Sequence, residues 1–418
     1  MTEWRLKRLG DLIRVKHGHA FKGEFFTTDG VAVVLTPGNF PIGGGLRLRP
    51  GKDRYYAGPY PPEFRLSPGD LLVVMTDLTQ NAPILGSPAI VPTKPAMLHN
   101  QRLGLVTVRP DADLDRRFLY YLLLSDASRS QIRATATGTT VRHTAPERIY
   151  RVEMRIPPLR IQRVISSALG AIDYLIDNNR RRAAVLEAMA RAIYREWFVH
   201  FRCPGHEDIT PADAALGVMP RGWERVPLVD AALITMGQSP KSEFYNSDGV
   251  GTPFHQGVTD FGQHFPTHRK YCTVAARSAQ DGDVLVSVRA PVGRLNIADT
   301  RLVIGRGLAA IQALDGRQGL MFAQLVEVFT EEDSMGGGTI FKAIGKTELE
   351  QVKVLRVPDE LADIANRVLS DNLDLIRTLT MANRRLVSIR DSLLPKLVTG
   401  QIDVLSLGLD ALVEGSVA

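Results

Sequence analysis

The stretch of sequence that decides the fold, Leu159–Phe201, reads LRIQRVISSALGAIDYLIDNNRRRAAVLEAMARAIYREWFVHF. Pro157 and Pro158 come directly before it, and the next proline along the chain is Pro204. Proline suits the first turn of a helix and disrupts a helix interior. The stretch therefore predicts one helix of roughly 40 residues, or ~60 Å.

A second stretch repeats this pattern 204 residues later. It follows Pro358 and reads LADIANRVLSDNLDLIRTLTMANRRLVSIRDSLLPKL, in which Asn383-Arg384-Arg385 matches Asn179-Arg180-Arg181. Apolar side chains and one asparagine recur with seven-residue spacing in both stretches, which is typical of a seam between two helices. The predicted seam comprises Ile172, Leu175, Asn179, Leu186, Met189, Ile193, Ile376, Leu379, Asn383, Leu386, Leu393 and Leu397. A polar asparagine in such a seam fixes its register.

The repeat predicts two globular domains and two spacer helices. The alternative is that each helix packs only on its own domain, but two helices at matching positions favour pairing with each other. Short β-branched runs and Gly- and Pro-rich turns are typical of α+β domains. We therefore expect an α+β fold with two globular domains separated by two long helices that form an antiparallel coiled coil, related by a pseudo-twofold internal repeat. The predicted boundaries are 1–156 for the first globular domain, 157–202 for the central helix, 203–222 for a linker, 223–357 for the second globular domain, 358–402 for the C-terminal helix and 403–418 for a tail.

Composition is that of an ordinary globular protein, with 44% hydrophobic and 23% charged residues in 418. The N-terminus lacks the apolar core of a signal peptide, and no apolar run is long enough for a membrane span. Two distant cysteines, Cys203 and Cys272, form no metal pattern and fit a reducing cytoplasm. Residues 1–200 carry 29 basic and 18 acidic side chains, against 22 and 27 in residues 201–418. A basic first half weakly favours a nucleic-acid partner.

Motifs for catalysis are missing from the sequence. It has no phosphate-binding loop, no Gly-x-Ser-x-Gly elbow and no zinc-protease helix. The nearest string to the Asn/Asp-Pro-Pro-aromatic motif of amino-methyltransferases is Tyr60–Phe64, which does not match it. His17 and His19 form a pair with no third metal ligand in view. The sequence therefore predicts a chain that binds and positions, with no catalytic residues and no metal site.

Several motifs resemble the specificity subunit of type I restriction–modification systems, and the resemblance covers essentially the whole chain. They are Leu9-Gly10-Asp11, the Gly-Thr turns before the helices, Arg195–Phe198 and Leu393–Gly400. One departure is Val229 in the second lead-in, Leu228-Val229-Asp230, where the first has glycine. The resemblance implies a non-catalytic subunit whose globular domains are target recognition domains for double-stranded DNA.

Partners and cofactors follow from the same resemblance. It implies two copies of an adenine-modifying methyltransferase subunit and a translocating restriction subunit. S-adenosylmethionine, ATP and Mg²⁺ would be carried by those partners, and this chain would hold no cofactor. We expect the outer helix faces to dock the partners, with Arg195, Trp197 and Phe198 as anchors. The alternative is that these three side chains fasten the helix to its own domain.

Loops rich in Arg, Lys, Asn, Gln, Thr and Tyr suit both base edges and phosphates. The predicted DNA-binding residues are Asn39, Arg47, Arg49, Lys52, Arg54, Tyr55, Arg102, Thr139, Thr140, Arg142, His143, Gln256, Thr259, Gln263, His264, His268, Arg269, Lys270, Arg289, Arg306, Thr339 and Lys342. Two readers on a fixed spacer imply a bipartite target, with two half-sites around an unread gap. Two rival interpretations are a stand-alone DNA methyltransferase or endonuclease and a scaffold that binds only proteins.

Overall fold

The structure is a computed structural model that describes residues 4–204, 219–274, 276–334 and 343–404, with backbone alone for 331–334. It divides into two compact units. Unit 1 comprises the chain up to Ile176 together with the chain from Arg385 onward, and unit 2 runs Asp177–Arg384. Each unit contains one globular region and part of each long helix, so that the division falls inside both helices. The predicted boundaries, in contrast, kept each helix whole as a spacer.

Two long helices interrupt the globular regions. The central helix is Leu159–Tyr194, continued by a π-helical turn Arg195–Val199, and the C-terminal helix is Asp359–Val398. The shorter helices are Leu9–Leu12, Arg116–Leu124, Asp126–Ala134 and Pro146–Ile149 in the first globule, and Gln318–Ser334 and Lys346–Glu350 in the second.

The first globule is built on two four-stranded sheets. Its strands are β1 (Arg5–Arg8), β2 (Ile13–His17), β3 (Phe26–Thr27), β4 (Ala32–Leu35), β5 (Tyr55–Tyr56), β6 (Leu71–Val74), β7 (Thr76–Asp77), β8 (Pro88–Ile90), β9 (Ala96–His99), β10 (Leu103–Val108), β11 (Arg142–His143) and β12 (Glu153–Ile156). One sheet has the antiparallel order β2-β10-β6-β8, and the other has the order β3-β5-β4-β9 with β4 and β9 parallel. Strand β1 pairs with β12 directly before the central helix, and β11 pairs with β7.

The second globule repeats this topology. Its strands are β13 (Glu224–Pro227), β14 (Ala232–Met236), β15 (Tyr245–Asn246), β16 (Thr252–His255), β17 (Tyr271–Cys272), β18 (Ser278–Ala279), β19 (Val284–Ser287), β20 (Leu295–Ile297), β21 (Leu302–Ile304), β22 (Leu308–Ala313) and β23 (Lys353–Arg356). The sheet β14-β22-β19-β20 corresponds to β2-β10-β6-β8. The sheet β15-β17-β16-β21-β18 corresponds to β3-β5-β4-β9 with one added edge strand, and β16 and β21 are again parallel.

The turn that leads into β6 shows how closely the two globules match. The Asp70 carboxylate accepts a hydrogen bond from Ser67 N at 2.8 Å, and Asp283 accepts one from Gln280 N at 2.7 Å. Gly69 and Gly282 precede these aspartates with φ of +86° and +87°, a region that favours glycine. The sequence similarity between the two turns therefore reflects one structural element used twice.

A matching side-chain amide joins each globule to the long helix that follows it in the chain. Gln162 on the central helix accepts from Asp115 N at 2.7 Å, and Asn366 on the C-terminal helix accepts from Gly319 N at 3.0 Å. In unit 1, Phe118 and Leu169 lie in one buried cluster with Leu394 near the end of the C-terminal helix. Apolar burial of this kind is the main stabilising contribution to such a junction.

The helices run antiparallel within each unit. In unit 2, Asn179 donates a hydrogen bond to Asn383 at 3.0 Å, and further along Ala183 clusters with Ile376. In unit 1, Arg390 donates to Asp173 at 3.0 Å. As the residue number rises on one helix it falls on the other, which confirms the predicted antiparallel pair.

The predicted seam agrees with burial at most positions. Ile376, Leu379 and Leu397 are buried, and Ile172, Asn179, Leu186, Ile193, Asn383, Leu386 and Leu393 are half-buried. The prediction is wrong at Leu175 and Met189, which are 45% and 49% exposed. Ile176 and Ala183 are buried on that helix instead. Ile176 and Ala183 lie four residues after Ile172 and Asn179, whereas the prediction placed the second line of the seam three residues after the first. Positions three and four residues away share one helix face, so seven-residue spacing alone does not choose between them.

Candidate nucleic-acid interface

One end of the two sheets in the first globule collects most of its predicted DNA-binding residues. Strands β4 and β9 are parallel and finish together, with Leu35 opposite His99, so the loops that follow them leave from the same side. Met75, directly after β6, donates to Arg102 O at 2.9 Å and accepts from Thr144 N at 2.9 Å. We call this side, where β2, β4, β6 and β9 end, the first edge.

The second globule has the same edge. His255 and Ile304 end the parallel strands β16 and β21, and Gly305 N donates to His255 O at 2.8 Å. Val288, directly after β19, donates to Gly307 O at 3.0 Å and accepts from Ile344 N at 2.9 Å. We call this side, where β14, β16, β19 and β21 end, the second edge.

A glycine shapes each edge. Gly18 follows β2 and Gly237 follows β14, and a Cβ at either position would collide with the backbone carbonyl of Asn100 or Gly305, respectively. Only glycine lets the backbone pass so close to its neighbour. The same close crossing therefore brings the β9–β10 turn against the end of β2 and the β21–β22 turn against the end of β14.

The first edge presents mostly exposed cations and hydroxyls. Arg47, Lys52, Arg54, Arg102, Thr139 and Thr140 are exposed, and Tyr55 is half-buried. The Arg142 guanidinium donates to Gly138 O at 3.2 Å, and His143 Nδ1 lies 3.0 Å from Thr76 Oγ1. These two side chains shape the Thr139–Thr140 turn as well as bordering the edge.

Two predicted residues of the first globule have structural roles instead. Asn39 is buried, and its amide donates to Asp53 at 2.7 Å and to Arg47 O at 3.3 Å while its oxygen accepts from Thr36 N. Arg49 pairs with the Asp53 carboxylate at 3.6 Å. Both side chains hold the loop in shape, because a buried polar group must find its partners within the protein. The prediction that Asn39 is available to DNA is therefore wrong.

The second edge presents Gln256, Arg289 and Arg306, all exposed. Gln256 Oε1 accepts from Ser239 Oγ at 2.9 Å, and Ser239 Oγ accepts from Arg306 N at 3.2 Å. The three loops of this edge are thereby joined in one hydrogen-bonded surface. Thr259 and Lys270 are also exposed. The predicted residues Thr339 and Lys342 lie outside the described residues.

Four predicted residues of the loop after β16 have partners inside unit 2. Gln263 Nε2 donates to Glu187 on the central helix at 3.0 Å, and buried His264 lies 3.4 Å from the same carboxylate. His268 contacts His255 and Asp299, and Arg269 Nε pairs with Asp260 at 3.2 Å. The prediction that His264 contacts DNA is wrong, because its side chain is buried against the central helix.

Acidic groups beside the edges are occupied by neighbouring donors. Asp77 is buried and accepts from Thr79 N and Ile84 N, both at 2.9 Å. In the second globule the Asp299 carboxylate lies between His268 and Arg384. Since these carboxylates are turned inward, the exposed arginines and lysines set the sign of the surface potential at the edges.

One buried and uncharged histidine ends a strand at each edge, His99 in the first globule and His255 in the second. Burial lowers the pKa of His99 to about 4, although its hydrogen bond to Leu103 O raises it. Burial and the neighbouring His268 lower the pKa of His255 to about 4. Both imidazoles are neutral at pH 7, so they serve the scaffold rather than the phosphates.

Sequence reasoning missed some residues of the edges. Lys16 and His17 are exposed at the end of β2, and Lys16 Nζ lies 4.7 Å from the centre of the Phe64 ring. Thr76 and Ser239 also border the edges. The signal that points to them is the glycine after each matched strand, Gly18 and Gly237, because it marks where the backbone crosses its neighbour.

The predicted partner anchors are only partly surface features. Phe198 is buried, with its ring 5.1 Å from Tyr194 and 5.6 Å from Trp223. Arg195 Nε lies 3.3 Å from the buried Glu327 carboxylate, and Trp197 is half-buried. Phe198 and Arg195 therefore fasten the central helix to the second globule, and not to its own domain as the alternative expected.

Two features are absent from the described ranges. Residues 4–204, 219–274, 276–334 and 343–404 contain no group of three His, Cys, Asp or Glu side chains placed to hold a metal ion. Within the same ranges, no helix combines the length and apolar character of a membrane span.

The architecture defines a class of protein in which two similar binding globules are linked by a pair of antiparallel helices. The family described as type I restriction modification DNA specificity domain matches residues 1–188. The chain is 30% identical over 350 residues to the specificity subunit of the type I restriction enzyme MjaX of Methanocaldococcus jannaschii, covering 82% of this chain and 80% of that one. The chain therefore belongs to the specificity subunits of type I restriction–modification systems, whose members are the non-catalytic DNA-recognition components.

Further relatives agree with this assignment. The specificity subunit of the type I restriction enzyme MjaIX from the same archaeon is 23% identical over 343 residues, covering 78% of this chain and 77% of that one. The crystal structure of a type I restriction–modification system S subunit from M. genitalium superposes with a TM-score of 0.61 over 95% of this chain and 96% of that one. At 16% identity, this last comparison supports the fold.

Proposed function

We propose that the chain reads a bipartite duplex target, with one half-site at the first edge and the other at the second edge. The observation that carries this proposal is the duplication of the edge itself, with the same strand ends and the same glycine crossing but different exposed side chains. Arginine and glutamine can each make paired hydrogen bonds to base edges in the major groove, while lysine and arginine also contact phosphates. A repeated scaffold with diverging contacts suits two half-sites of different sequence.

The paired helices would set the length of the unread gap. The division between the units falls inside both helices, and Asn179 and Asn383 fix the register of the pair close to this point. A polar pair at such a position opposes sliding, because any shift leaves both amides unpaired. The gap would then follow from helix length, as half-site spacing follows from dimer geometry in other DNA-binding proteins.

The chemistry would come from partners. Family membership supports assembly with two methyltransferase subunits, which carry S-adenosylmethionine, and with a restriction subunit, which carries ATP and Mg²⁺. Exposed apolar side chains on the long helices suit docking of the methyltransferase subunits better than Phe198 does. On the central helix, Val185 and Met189 are 59% and 49% exposed, and on the C-terminal helix Leu375 is 51% exposed.

An arginine scan of both edges tests the proposal. We expect Arg102→Ala and Arg306→Ala each to weaken binding of the complex to its target by about 1–3 kcal/mol, which is about 5- to 150-fold. Each variant should relax discrimination in one half-site only. The measurement is a fluorescence anisotropy titration at several salt concentrations, with duplexes that carry the methylation target mapped in the host genome.

Matched controls are Arg14→Ala and Arg301→Ala, which remove exposed arginines near the opposite ends of β2 and β21. These variants should bind the target like the wild type. Normal binding and discrimination by both edge variants would show that the edges are not the interface. A complex that binds duplexes with no sequence preference would favour the protein-scaffold interpretation instead.

A second experiment tests the role of the helices in spacing. Inserting a seven-residue block into one long helix should change the gap between the methylated half-sites and leave their sequences unchanged. Methylation mapping in cells that express the variant measures both properties. An unchanged gap would contradict the spacing role while leaving the two reading edges in place.

A further inference from the structure

A continuous chain of polar contacts links the second edge to the C-terminal helix. It starts at His255, which ends β16 and is 1% exposed. His255 Nε2 lies 3.0 Å from His268 Nδ1, and His268 Nε2 lies 3.0 Å from Asp299 Oδ1. The other oxygen of Asp299 accepts from Arg384 Nη1 at 2.8 Å. All four residues belong to unit 2.

The Asp299 carboxylate is the centre of this chain. It only accepts when ionised, so the groups that approach it, His268 Nε2 and Arg384 Nη1, face it as donors. Burial raises the pKa of Asp299, but the contacts from His268 and Arg384 outweigh burial and hold this pKa below its usual value. The carboxylate is thus held between the segment that carries His268 and the C-terminal helix.

Arg384 is held firmly at its own end. Its Nη2 donates to Pro266 O at 2.7 Å, and Arg377, two turns earlier on the same helix, donates to Asp299 O at 2.9 Å. The segment 265–268 and Asp299 are therefore fixed to the C-terminal helix by directional bonds. Apolar contacts alone would tolerate a small slide, whereas these bonds would break.

The first half of the molecule is built differently. Leu35 occupies the place of His255 at the end of the matching strand, and Arg180, which matches Arg384 in the repeated Asn-Arg-Arg, is exposed. The polar joint of unit 1 runs instead from Tyr121 to Asp173 at 2.7 Å and from Arg390 to the same carboxylate at 3.0 Å. That joint starts from the helix Arg116–Leu124 and not from a strand end of the first edge.

We propose that His268, Asp299 and Arg384 are positioning residues that hold the second edge in register with the C-terminal helix. Through this register they restrict the distance at which the second half-site is accepted. The inference rests on the proposed reading of a bipartite target. It also gives His268 a role through Asp299 rather than through contact with DNA, in place of the DNA contact expected from the sequence.

The test is the gap preference of the assembled complex. Full-length chain with its methyltransferase subunits is titrated with duplexes that carry the mapped target at the native gap and at gaps one base pair longer and shorter. We expect the wild type to prefer the native gap by about tenfold or more, which corresponds to one unfavourable contact. His268→Ala removes the middle of the chain while leaving the Asp299–Arg384 pair. It should bind the native gap within about threefold of the wild type but prefer it by about threefold or less.

Two further variants separate positioning from stability. His268→Gln can still donate to Asp299, so it should restore most of the gap preference. Arg317→Ala is the matched control, because it breaks ion pairs of 2.7 and 2.8 Å between the second globule and Asp359 and Asp363 of the same helix, away from the edge. It should keep the gap preference of the wild type.

Three outcomes would overturn the inference. A wild-type gap preference in His268→Ala would show that the chain of contacts does not set the register. An equal loss in His268→Ala and Arg317→Ala would show that any weakening of the joint has the same effect. Absence of a gap preference in the wild type would remove the proposed bipartite reading itself, and with it this inference.

Discussion

The two globules share one backbone architecture and differ in the side chains that it carries at the edges. Both place a glycine crossing, a parallel strand pair and an Asp-stabilised turn at matching positions. The buried histidine has changed strands, however: His99 ends β9 in the first globule, whereas His255 ends β16 in the second. The backbone architecture is therefore retained while the side chains at the edges diverge. A duplicated reader needs this combination if its two half-sites are to differ.

The joints between globules and helices differ as well. In unit 1, Phe118, Leu119 and Leu394 are buried in one cluster. The positions 204 residues away along the repeat hold Phe322, Ala323 and Ala190, and these line a cavity of about 510 Å³ in unit 2. The smaller side chains leave the second joint less completely filled. The same pattern of contacts is thus made with smaller side chains beside a cavity in unit 2.

The largest effect should come from truncating the matched phenylalanines. Phe118 is fully buried, so Phe118→Ala should lower the free energy of unfolding by about 3–5 kcal/mol. Phe322 is half-buried beside the cavity, and Phe322→Ala should cost about 1–2 kcal/mol. Urea unfolding of each variant, followed by tryptophan fluorescence and circular dichroism, measures both. Equal losses would contradict the difference in packing between the two joints.

Acid should weaken both globules through their buried histidines. Burial is the main reason that the folded-state pKa values of His99 and His255 fall to about 4 from 6.5. Between these values only the unfolded chain takes up the proton, so stability is complete above pH 6.5 and is lost as the pH falls towards 4. Each histidine should therefore cost about 2 kcal/mol between pH 7 and pH 5.

Exchanging residues between the globules sharpens this test. His99→Ile places in the first globule the side chain that the second has at the matching position, Ile304. Urea unfolding at pH 7 and pH 5 should show a smaller acid loss for this variant than for the wild type. If the acid loss is the same in both proteins, the buried imidazole of the first globule is not its source.

Much of the fold could be predicted because the internal repeat can be recognised from the sequence alone. Pro157–Pro158 and Pro358 mark where the long helices begin, and the matched Asn-Arg-Arg marks where they meet. The failures at Leu175 and Met189 have a geometric cause, since residues three and four positions away share one face of a helix and the partner helix decides which of them is buried. Helix pairing was therefore predictable, but the buried face was not predictable at every turn.

The candidate site was less predictable, because a polar loop residue serves either a ligand or its own loop. Asn39 and Arg47 lie in the same loop, but only Asn39 has Asp53 as a hydrogen-bond partner, 14 positions away. The sequence predicted that His264 contacts DNA, but in the structure its imidazole lies 3.4 Å from the Glu187 carboxylate on the central helix. Such partners are distant in sequence, so only the fold separates structural from exposed polar groups.

The smallest effect concerns the hydrogen bond between the two matching asparagines of the repeat. Asn383→Leu removes the acceptor of the 3.0 Å hydrogen bond from Asn179, and should lower the free energy of unfolding by about 1 kcal/mol because the Asn179 amide loses its partner. Changing both asparagines to leucine should recover that loss, since an apolar pair suits a helix seam, but the register would then no longer be specified by a polar pair. A double-mutant cycle by urea unfolding gives the coupling, expected at about 2 kcal/mol because each single variant loses about 1 kcal/mol and the double variant loses little. Additive losses in the double variant would mean that the two amides act independently, and the register of the helix pair would then have to be set by apolar packing around Ile376 and Ala183.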